Sequence, residues 1–356
     1  MDDKIMKELS GRSVLVTGAD GFMGSHLTEV LVDAGADVHI FIRATSSGEM
    51  KNIGHLLRKV SVHRGDLADP VSVRLALKKL KADAKDKPVI FHLGAQAHVG
   101  ESWQRPYETF QVNTLGTLNI LQAIVDLDLD IWKMDFAGTS EEFGNMVEEM
   151  KDLYTFNREG IITFNERSPL NPESPYAVSK VAADFLCKDY HKAYGIPTVV
   201  TRMFNNYGPR QSPRYVTGTI ITQALSKKEV LLGALKPTRD FTYVLDGVRG
   251  HLYATLKGKA GQTYSYGYGQ DISIGDWAKF ILDVGEEEGY WHGVKVKEVK
   301  GRLRPGMTDI TRLGVDYGKI KKETGWKPEY DREYGVRETI RYYAANKDKW
   351  WGRIDW

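Results

Sequence analysis

The sequence predicts an α/β protein: a Rossmann-type, doubly wound parallel sheet with a smaller C-terminal α/β lobe. Three observations predict it. Apolar runs alternate with stretches of helical periodicity through the first half of the chain. Those runs are continuously apolar, the pattern of strands covered on both faces rather than on one. The first run, SVLVTG (13–18), leads straight into Gly18, Gly21 and Gly24 at the head of a helical pattern.

The elements follow in order. After the strand at 13–18 the periodicity predicts a helix over 24–34, a strand in ADVHIFIR (36–43) and another in KVSVHRGDL (59–67). A helix over 71–82, a strand in PVIFHLGA (88–95), a helix over 113–127 and a strand in IWKMDFAGTS (131–140) continue the rhythm. The segment 145–167 is polar, lacks a period and reads as a long loop, either functional or a plain surface excursion. A further helix–strand unit covers 176–194 and 197–204. After Gly208 short strands and turns separate helical stretches at 215–227, 246–257, 273–285 and 332–346. Ser273 and Asp276 form a capping pattern at one of these starts. The domains are therefore expected at 1–208 and 209–356, with an interleaved boundary. The tryptophan-rich tail KWWGRIDW is expected to pack on the body.

Bulk composition narrows the function. The 356 residues are 42% hydrophobic and 27% charged, which excludes long disorder. With 49 basic against 47 acidic side chains the net charge is +2, no basis for a nucleic-acid or membrane-surface protein. Cys187 is the single cysteine, so no intrachain disulfide forms, and its place in an apolar-periodic stretch suits a buried small hydrophobe. The N-terminus is charged and carries no signal-peptide pattern, and no apolar run approaches the ~18 residues of a membrane span. A cytoplasmic enzyme is expected. Nine scattered histidines without cluster spacing predict no metal site.

The glycine triplet permits a tight turn and a close approach of backbone to a pyrophosphate at a helix N-terminus. It predicts NAD(P), with Asp20, Phe22 and Met23 of the loop, and Leu67 and Leu93–Gly94–Ala95 at later strand ends, as further cofactor contacts. The alternative is a tight turn with no ligand. Arg43 closes the second strand, followed by Thr45, Ser46 and Ser47; a cation beside hydroxyls favours the 2′-phosphate of NADP, whereas stacking on the adenine of NAD is the other use of such an arginine. Asp66 either bonds an adenine amine or caps a turn.

Tyr176 and Lys180 share one helix face, so an ammonium can sit by a phenol and lower its pKa. That makes the tyrosine a base for an alcohol proton while hydride leaves the carbon; an exposed helical pair is the alternative. Ser174-Pro175 is a plausible helix start. Thr139 lies at a strand's carboxyl end, where its hydroxyl could share that proton. Glu141 is either a base on a carbon acid or, with Glu142, one of two solvated loop acids.

Taken together, the glycine triplet, HLGAQAHV (92–99), GTSEEFG (138–144), SPYAVSK (174–180) and RMFNNYGPR (202–210) resemble the extended short-chain dehydrogenase/reductases, the nucleotide-sugar epimerases and dehydratases, over about residues 12–347. Within them the chain is most similar to the GDP-mannose 4,6-dehydratases. Thr139-Ser140-Glu141 resembles their threonine–serine–glutamate, where dehydratases acting on dTDP-glucose normally carry aspartate at the serine. Arg43, AQAHV, LGALKPTRDFTYVLD (232–246) and RPGMTDI (304–310) resemble their segments too. YGPRQSPRYVTGTIITQAL also resembles dehydratases acting on nucleotide-linked N-acetylglucosamine.

The resemblance implies a lyase that makes a 4-keto-6-deoxy sugar by internal hydride transfer through bound NADP, with Thr139, Glu141, Tyr176 and Lys180 catalytic. It implies that Asn205, Arg214, Arg239 and Arg304 hold the nucleotide diphosphate, with His98 and Ser102 on the substrate wall. It also implies a homodimer or homotetramer through the helices at about 113–127 and 176–194. A 4-epimerase, a UDP-glucuronate decarboxylase and a dehydratase of UDP- or GDP-N-acetylhexosamine are the alternatives on the same scaffold.

Overall fold

The computed structural model describes residues 3–45, 50–157, 159–299, 306 and 308–350. Strands β1 (Ser13–Thr17), β2 (Asp37–Arg43), β3 (Ser61–Gly65), β4 (Val89–His92) and β5 (Lys133–Ala137) join Thr198–Met203 and Thr263–Tyr266 in one sheet. Its order is 3-2-1-4-5 followed by those last two strands, and every pairing is parallel. Successive residues of a strand point to opposite faces, so Val14 and Val16 enter one core while Leu15 enters the other. Helix α1 (Asp3–Leu9), α2 (Phe22–Asp33) and the helix Val244–Lys257 cover the first face. Helices α3 (Pro70–Asp83), α6 (Gly116–Asp126) and α7 (Pro175–Tyr194) cover the second, where Cys187 is buried beside Ala183 and Val200.

The strand order reverses between β1 and β4, and a crevice opens there at the carboxyl ends of the strands. The second lobe stands over it. Its strand Thr238–Asp240 pairs antiparallel with Asp271–Ser273 and parallel with Arg312–Leu313. Trp277, fully buried, stacks on Phe241 with ring centres 4.5 Å apart. Ser273 caps its helix by accepting from the Asp276 N–H at 3.0 Å, as the capping pattern requires.

Residues 244–266, past 208/209, cross back to the large sheet as a helix and its seventh strand. Some segments differ from expectation. The N-terminus, notable in sequence only for its charge, forms α1 because Ile5 and Leu9 fall one turn apart and are both buried. The helix expected at 113–127 starts earlier and in pieces. They are α4 (Val99–Gln104), α5 (Pro106–Phe110) and a π-helical turn at Gln111–Leu115 that runs into α6. Pro106 has no N–H to continue α4, so the helix restarts there. Asn113 in the π turn donates to Ser179 Oγ of α7 at 2.9 Å.

The segment 145–167 is not a bare loop. A 3-10 stretch, Glu148–Leu153, leads into an antiparallel pair, Thr155–Phe156 with Ile162–Thr163. Tyr154 and Phe164 then close on Phe143 and Phe204 as a third apolar cluster. Short strands separated by a polar turn leave no readable period. In the tail Trp350 is buried and donates to the Tyr343 carbonyl at 2.9 Å; 351–356 lie outside the described residues. Among the described residues no helix is long and apolar enough to cross a membrane.

Phe164→Ala should lower the unfolding free energy by about 3 kcal/mol, since it empties a packed aromatic site. Denaturant titration checks this; a loss below about 0.5 kcal/mol would mean that the 145–167 segment does not contribute to the packed body.

Candidate active site

A cleft of about 1180 Å³ runs along the sheet's carboxyl edge, from the glycine loop to α7 and under the second lobe. Its first wall is the turn after β1. Gly18 is left-handed, with φ +70°, and accepts from the Gly21 N–H at 2.9 Å. A methyl on Gly24 would lie 2.2 Å from the Gly18 carbonyl oxygen, so the helix starts hard against the strand. Phe22, Met23, Leu93, Gly94 and Ala95 line the same wall. Thr17 Oγ1 ties β1 to β4: it accepts from the Gly94 N–H at 3.0 Å and meets His92 Nδ1 at 2.8 Å. Complete burial holds the His92 ring neutral, its pKa pushed down to about 3.

Asp20 lines the cleft, but its carboxylate is engaged by the N–H groups of Lys51, Asn52 and Ile53. It folds residues 50–53 over the loop. Arg43 is 67% exposed and lies 3.5 Å from both Asp66 and Glu108. Asp66 caps its own turn, accepting from the Ala68 N–H at 2.9 Å, and with Leu67 lines a smaller adjoining cavity of about 420 Å³. Thr45 reaches the main cleft; Ser46 and Ser47 lie outside the described residues.

The floor is built by α7 and the end of β5. Ser174 caps α7 by accepting from the Ala177 N–H at 3.1 Å, with Pro175 as the first helical residue. Tyr176 in the first turn and Lys180 one turn on face inward, 8% and 3% exposed, which removes the exposed-pair alternative. Lys180 Nζ donates to the Ala137 carbonyl at 2.7 Å and lies 4.7 Å from the centre of the Phe136 ring. Burial pulls the Lys180 ammonium down to about 8, against the opposing charge of Glu142. Burial pushes the Tyr176 phenol above its usual range, with the nearby Tyr215 phenol adding to the effect; the hydrogen bond with Thr139 pulls the other way.

Thr139 caps the short turn Ser140–Glu142 and accepts from the Glu141 N–H at 3.3 Å. Glu141 is 6% exposed and lines the cleft, so it is not a solvated loop acid. Glu142 is buried behind it, outside the cleft lining, and accepts from the Thr139 N–H at 2.9 Å.

The remaining expected residues divide. His98 lines the cleft at the start of α4, where Nδ1 accepts from the Glu101 N–H at 3.1 Å and the ring meets Tyr215 edge-on at 5.4 Å. Asn205 also lines it, and its Oδ1 is buried without a hydrogen-bond partner among the described residues. Arg239 lines the second-lobe side and donates to the carbonyls of Thr238 and Ile310, both at 2.8 Å, with Asp309 3.9 Å away. Arg214 reaches the cleft while donating to Glu101 at 2.9 Å. Ser102 is corrected: it is completely buried, donates to the Val99 carbonyl at 2.6 Å and lines no part of the cleft, because it points along α4. Arg304 lies outside the described residues. Sequence reasoning passed over Tyr215, Gln211 and Arg210, which all line the cleft. Arg210 adopts a left-handed φ of 69° and pairs with Glu29 of α2 at 2.7 Å. Their signal was the stretch YGPRQSPRY, whose chemistry is carried by position rather than by spacing. Among the described residues no group of three or more His, Cys, Asp or Glu could hold a metal ion.

A family model described as GDP-mannose 4,6 dehydratase matches residues 15–339. The dTDP-glucose 4,6-dehydratase of Shigella flexneri is 28% identical over 94% of this chain and 93% of its own length. That of Xanthomonas campestris pv. campestris is 29% identical over 96% and 95%. Among solved structures, DesIV of Streptomyces venezuelae, a dTDP-glucose 4,6-dehydratase with NAD and TYD bound, superposes with a TM-score of 0.81 at 26% identity, covering 95% of this chain and 99% of that one. The UDP-glucose 4-epimerase of Thermotoga maritima, solved with UDP-glucose, gives a TM-score of 0.77 at 26% identity and covers 94% and 99%.

Replacing the buried ammonium should stabilise the fold: Lys180→Met is expected to raise unfolding free energy at neutral pH by on the order of 2 kcal/mol. The folded pKa is depressed, so the unfolded chain binds more protons between about 8 and 10.5, and the wild type gains stability as pH rises through that window. The gap between variant and wild type should close there in paired denaturant titrations; a gap independent of pH would contradict it.

Proposed function

The chain belongs to the GDP-mannose 4,6 dehydratase family, and from that premise we propose that its cleft holds a nicotinamide dinucleotide and dehydrates a nucleotide-diphosphate hexose, with GDP-mannose the first candidate. The observation that carries this reading is the buried turn Thr139–Glu141 facing Tyr176 and Lys180 across one cleft. A redox reaction at an alcohol needs only the tyrosine and lysine. A carboxylate added beside them, screened from water, provides for proton abstraction from carbon.

The glycine loop fits a pyrophosphate: Gly18 is left-handed, Gly24 has no room for a side chain, and the start of α2 presents its N–H groups. Arg43 and Thr45 at that end favour NADP, while NAD is the cofactor named with the DesIV structure. A nicotinamide held in the cleft supplies hydride acceptance from C4 of the sugar and hydride return at C6. Tyr176 takes the proton of the sugar 4-hydroxyl; the Thr139 hydrogen bond, with the Lys180 ammonium one turn along α7, works against the burial that raises its phenol. Glu141 removes the C5 proton, made acidic by the ketone at C4. Ser140 is a poor acid, so Glu141 also delivers that proton to the departing C6 oxygen, and water leaves. Hydride return at C6 leaves a carbanion at C5, which takes a proton from solvent while Tyr176 releases the one it gained, and the product is a 4-keto-6-deoxy sugar. Asn205 and Arg239 line the second-lobe side, where the diphosphate is held, and residues 1–208 with 244–266 carry the chemistry.

Two further readings concern the sugar and the assembly. The curated relatives act, by name, on dTDP-glucose, which favours that substrate; against it stands Ser140, where such enzymes resemble one another in an aspartate. Exposed Tyr107, Leu115, Val178 and Phe185 on α5, the π turn and α7 support a homodimer through these helices.

Purified protein should convert GDP-mannose, offered beside dTDP-glucose and UDP-N-acetylglucosamine, to a product lighter by one water with no net change in NADP(H). Glu141→Gln should lower that rate at least about 100-fold and leave nucleotide-sugar binding intact. Conversion of dTDP-glucose alone would transfer the assignment to the second substrate, and unchanged masses throughout would overturn the dehydratase reading.

A further inference from the structure

Behind the cleft, three buried ionisable side chains meet, with burial pushing the Glu142 carboxyl up to about 7 against the pull of Arg202. Arg202, on the strand Thr198–Met203, donates from Nε to Glu142 Oε2 at 2.9 Å and to Asp184 Oδ2 at 3.0 Å, and its second nitrogen reaches the same Asp184 oxygen at 2.6 Å. Glu142 belongs to the Thr139 turn and Asp184 to α7, one helical turn beyond Lys180. The guanidinium therefore joins the two elements that carry the site. Its face also lies 5.3 Å from the centre of the Phe143 ring. At the other end of its carboxylate, Glu142 Oε1 accepts from the Thr139 N–H at 2.9 Å. Gly138 makes room for it, since a methyl there would lie 2.7 Å from that oxygen.

Burying two carboxylates against one guanidinium costs desolvation that a similar apolar filling would not, so the arrangement is a poor way merely to fill space. We propose that Glu142 is a positioning residue, which through Arg202 and Asp184 locks the Thr139–Glu141 turn to α7 and sets the negative charge that Lys180 faces. It does not line the cleft and touches no reacting atom. The inference rests on the roles given above to Tyr176 and Lys180.

The charges around it decide the consequence. Facing Glu142 are Arg202 from its strand, Asp184, Lys180 and Tyr176 from α7, and the Thr139 N–H from its own turn; Lys188 pairs with Asp184 at 2.7 Å. Facing Lys180 are Glu142, Asp135, Cys187 and His92. Glu142 is the largest of the influences that keep the Lys180 ammonium charged against burial. Removing its charge lets that proton leave at lower pH.

The test is the pH profile of dehydration by Glu142→Gln. The alkaline limb of kcat should move down by about one pH unit, and kcat at its optimum should fall about 10-fold or more with KM changed less than about twofold. Glu142→Asp keeps the charge but shortens the reach to Thr139, so kcat should fall while the limb stays. If Glu142→Gln yields no folded protein, Glu142→Asp decides alone: wild-type kcat would overturn the proposal. A uniform loss with an unmoved limb in Glu142→Gln also overturns it. Lys180→Met separates the premises, because full activity there would remove the role of Lys180 itself, whatever Glu142 does.

Discussion

Lys180 brings an ammonium into the interior of the protein, where it donates to the carbonyl of Ala137 at the last residue of β5. A cation in that place is costly, and burial alone loosens its proton. It is held by the buried carbonyl at a strand end, by the face of Phe136, and by the negative charge of Glu142. The parallel sheet makes this possible: strand ends lie side by side along one edge, so the last carbonyl of β5 lies one strand, β4, away from the glycine turn of β1. Nearly every other feature of the cleft can be referred to that ammonium. Tyr176 sits one turn before it, Thr139 two residues beyond its acceptor, and Arg202 clamps the turn to the helix on the far side.

The second lobe closes the same edge. Arg239, Asn205 and Tyr215 line it from above, while His98 and Arg214 connect the lobes through Tyr215 and Glu101. Burial of Tyr176, Glu141 and Lys180 is therefore shared between the lobes, and the shifted proton affinities of Tyr176 and Lys180 come first from that burial. A carboxylate and a phenol kept from water in one cleft suit successive proton transfers, and a network anchored outside the cleft keeps them in register.

Much of this was legible in the sequence because it depends on local pattern. The continuous apolar runs, the glycine triplet and the four-residue spacing of Tyr176 and Lys180 each answer to backbone geometry, and the sheet, the turn and the helix face stand where they predict. What escaped depends on distant parts of the chain meeting. Glu142 looked like the twin of Glu141, and only Arg202, sixty residues on, sends one carboxylate into the core while the other lines the cleft. The resemblance placed Ser102 on the substrate wall, yet α4 turns it inward onto Val99. The hairpin in 145–167 has strands too short for a period and is held by Phe143 and Phe204 from elsewhere. The strand Thr263–Tyr266 lies far from the sheet in sequence and returns to it through one helix.

The proposed reaction depends on one hydrogen returning to the sugar it left. The direct measurement is to supply GDP-mannose deuterated at C4, mixed with unlabelled substrate, and to locate the label in the product by mass spectrometry and NMR. The account predicts deuterium at C6 of the molecule that carried it, without crossover into the unlabelled pool. Product bearing no deuterium, or substrate that keeps its label at C4 while losing water, would contradict it.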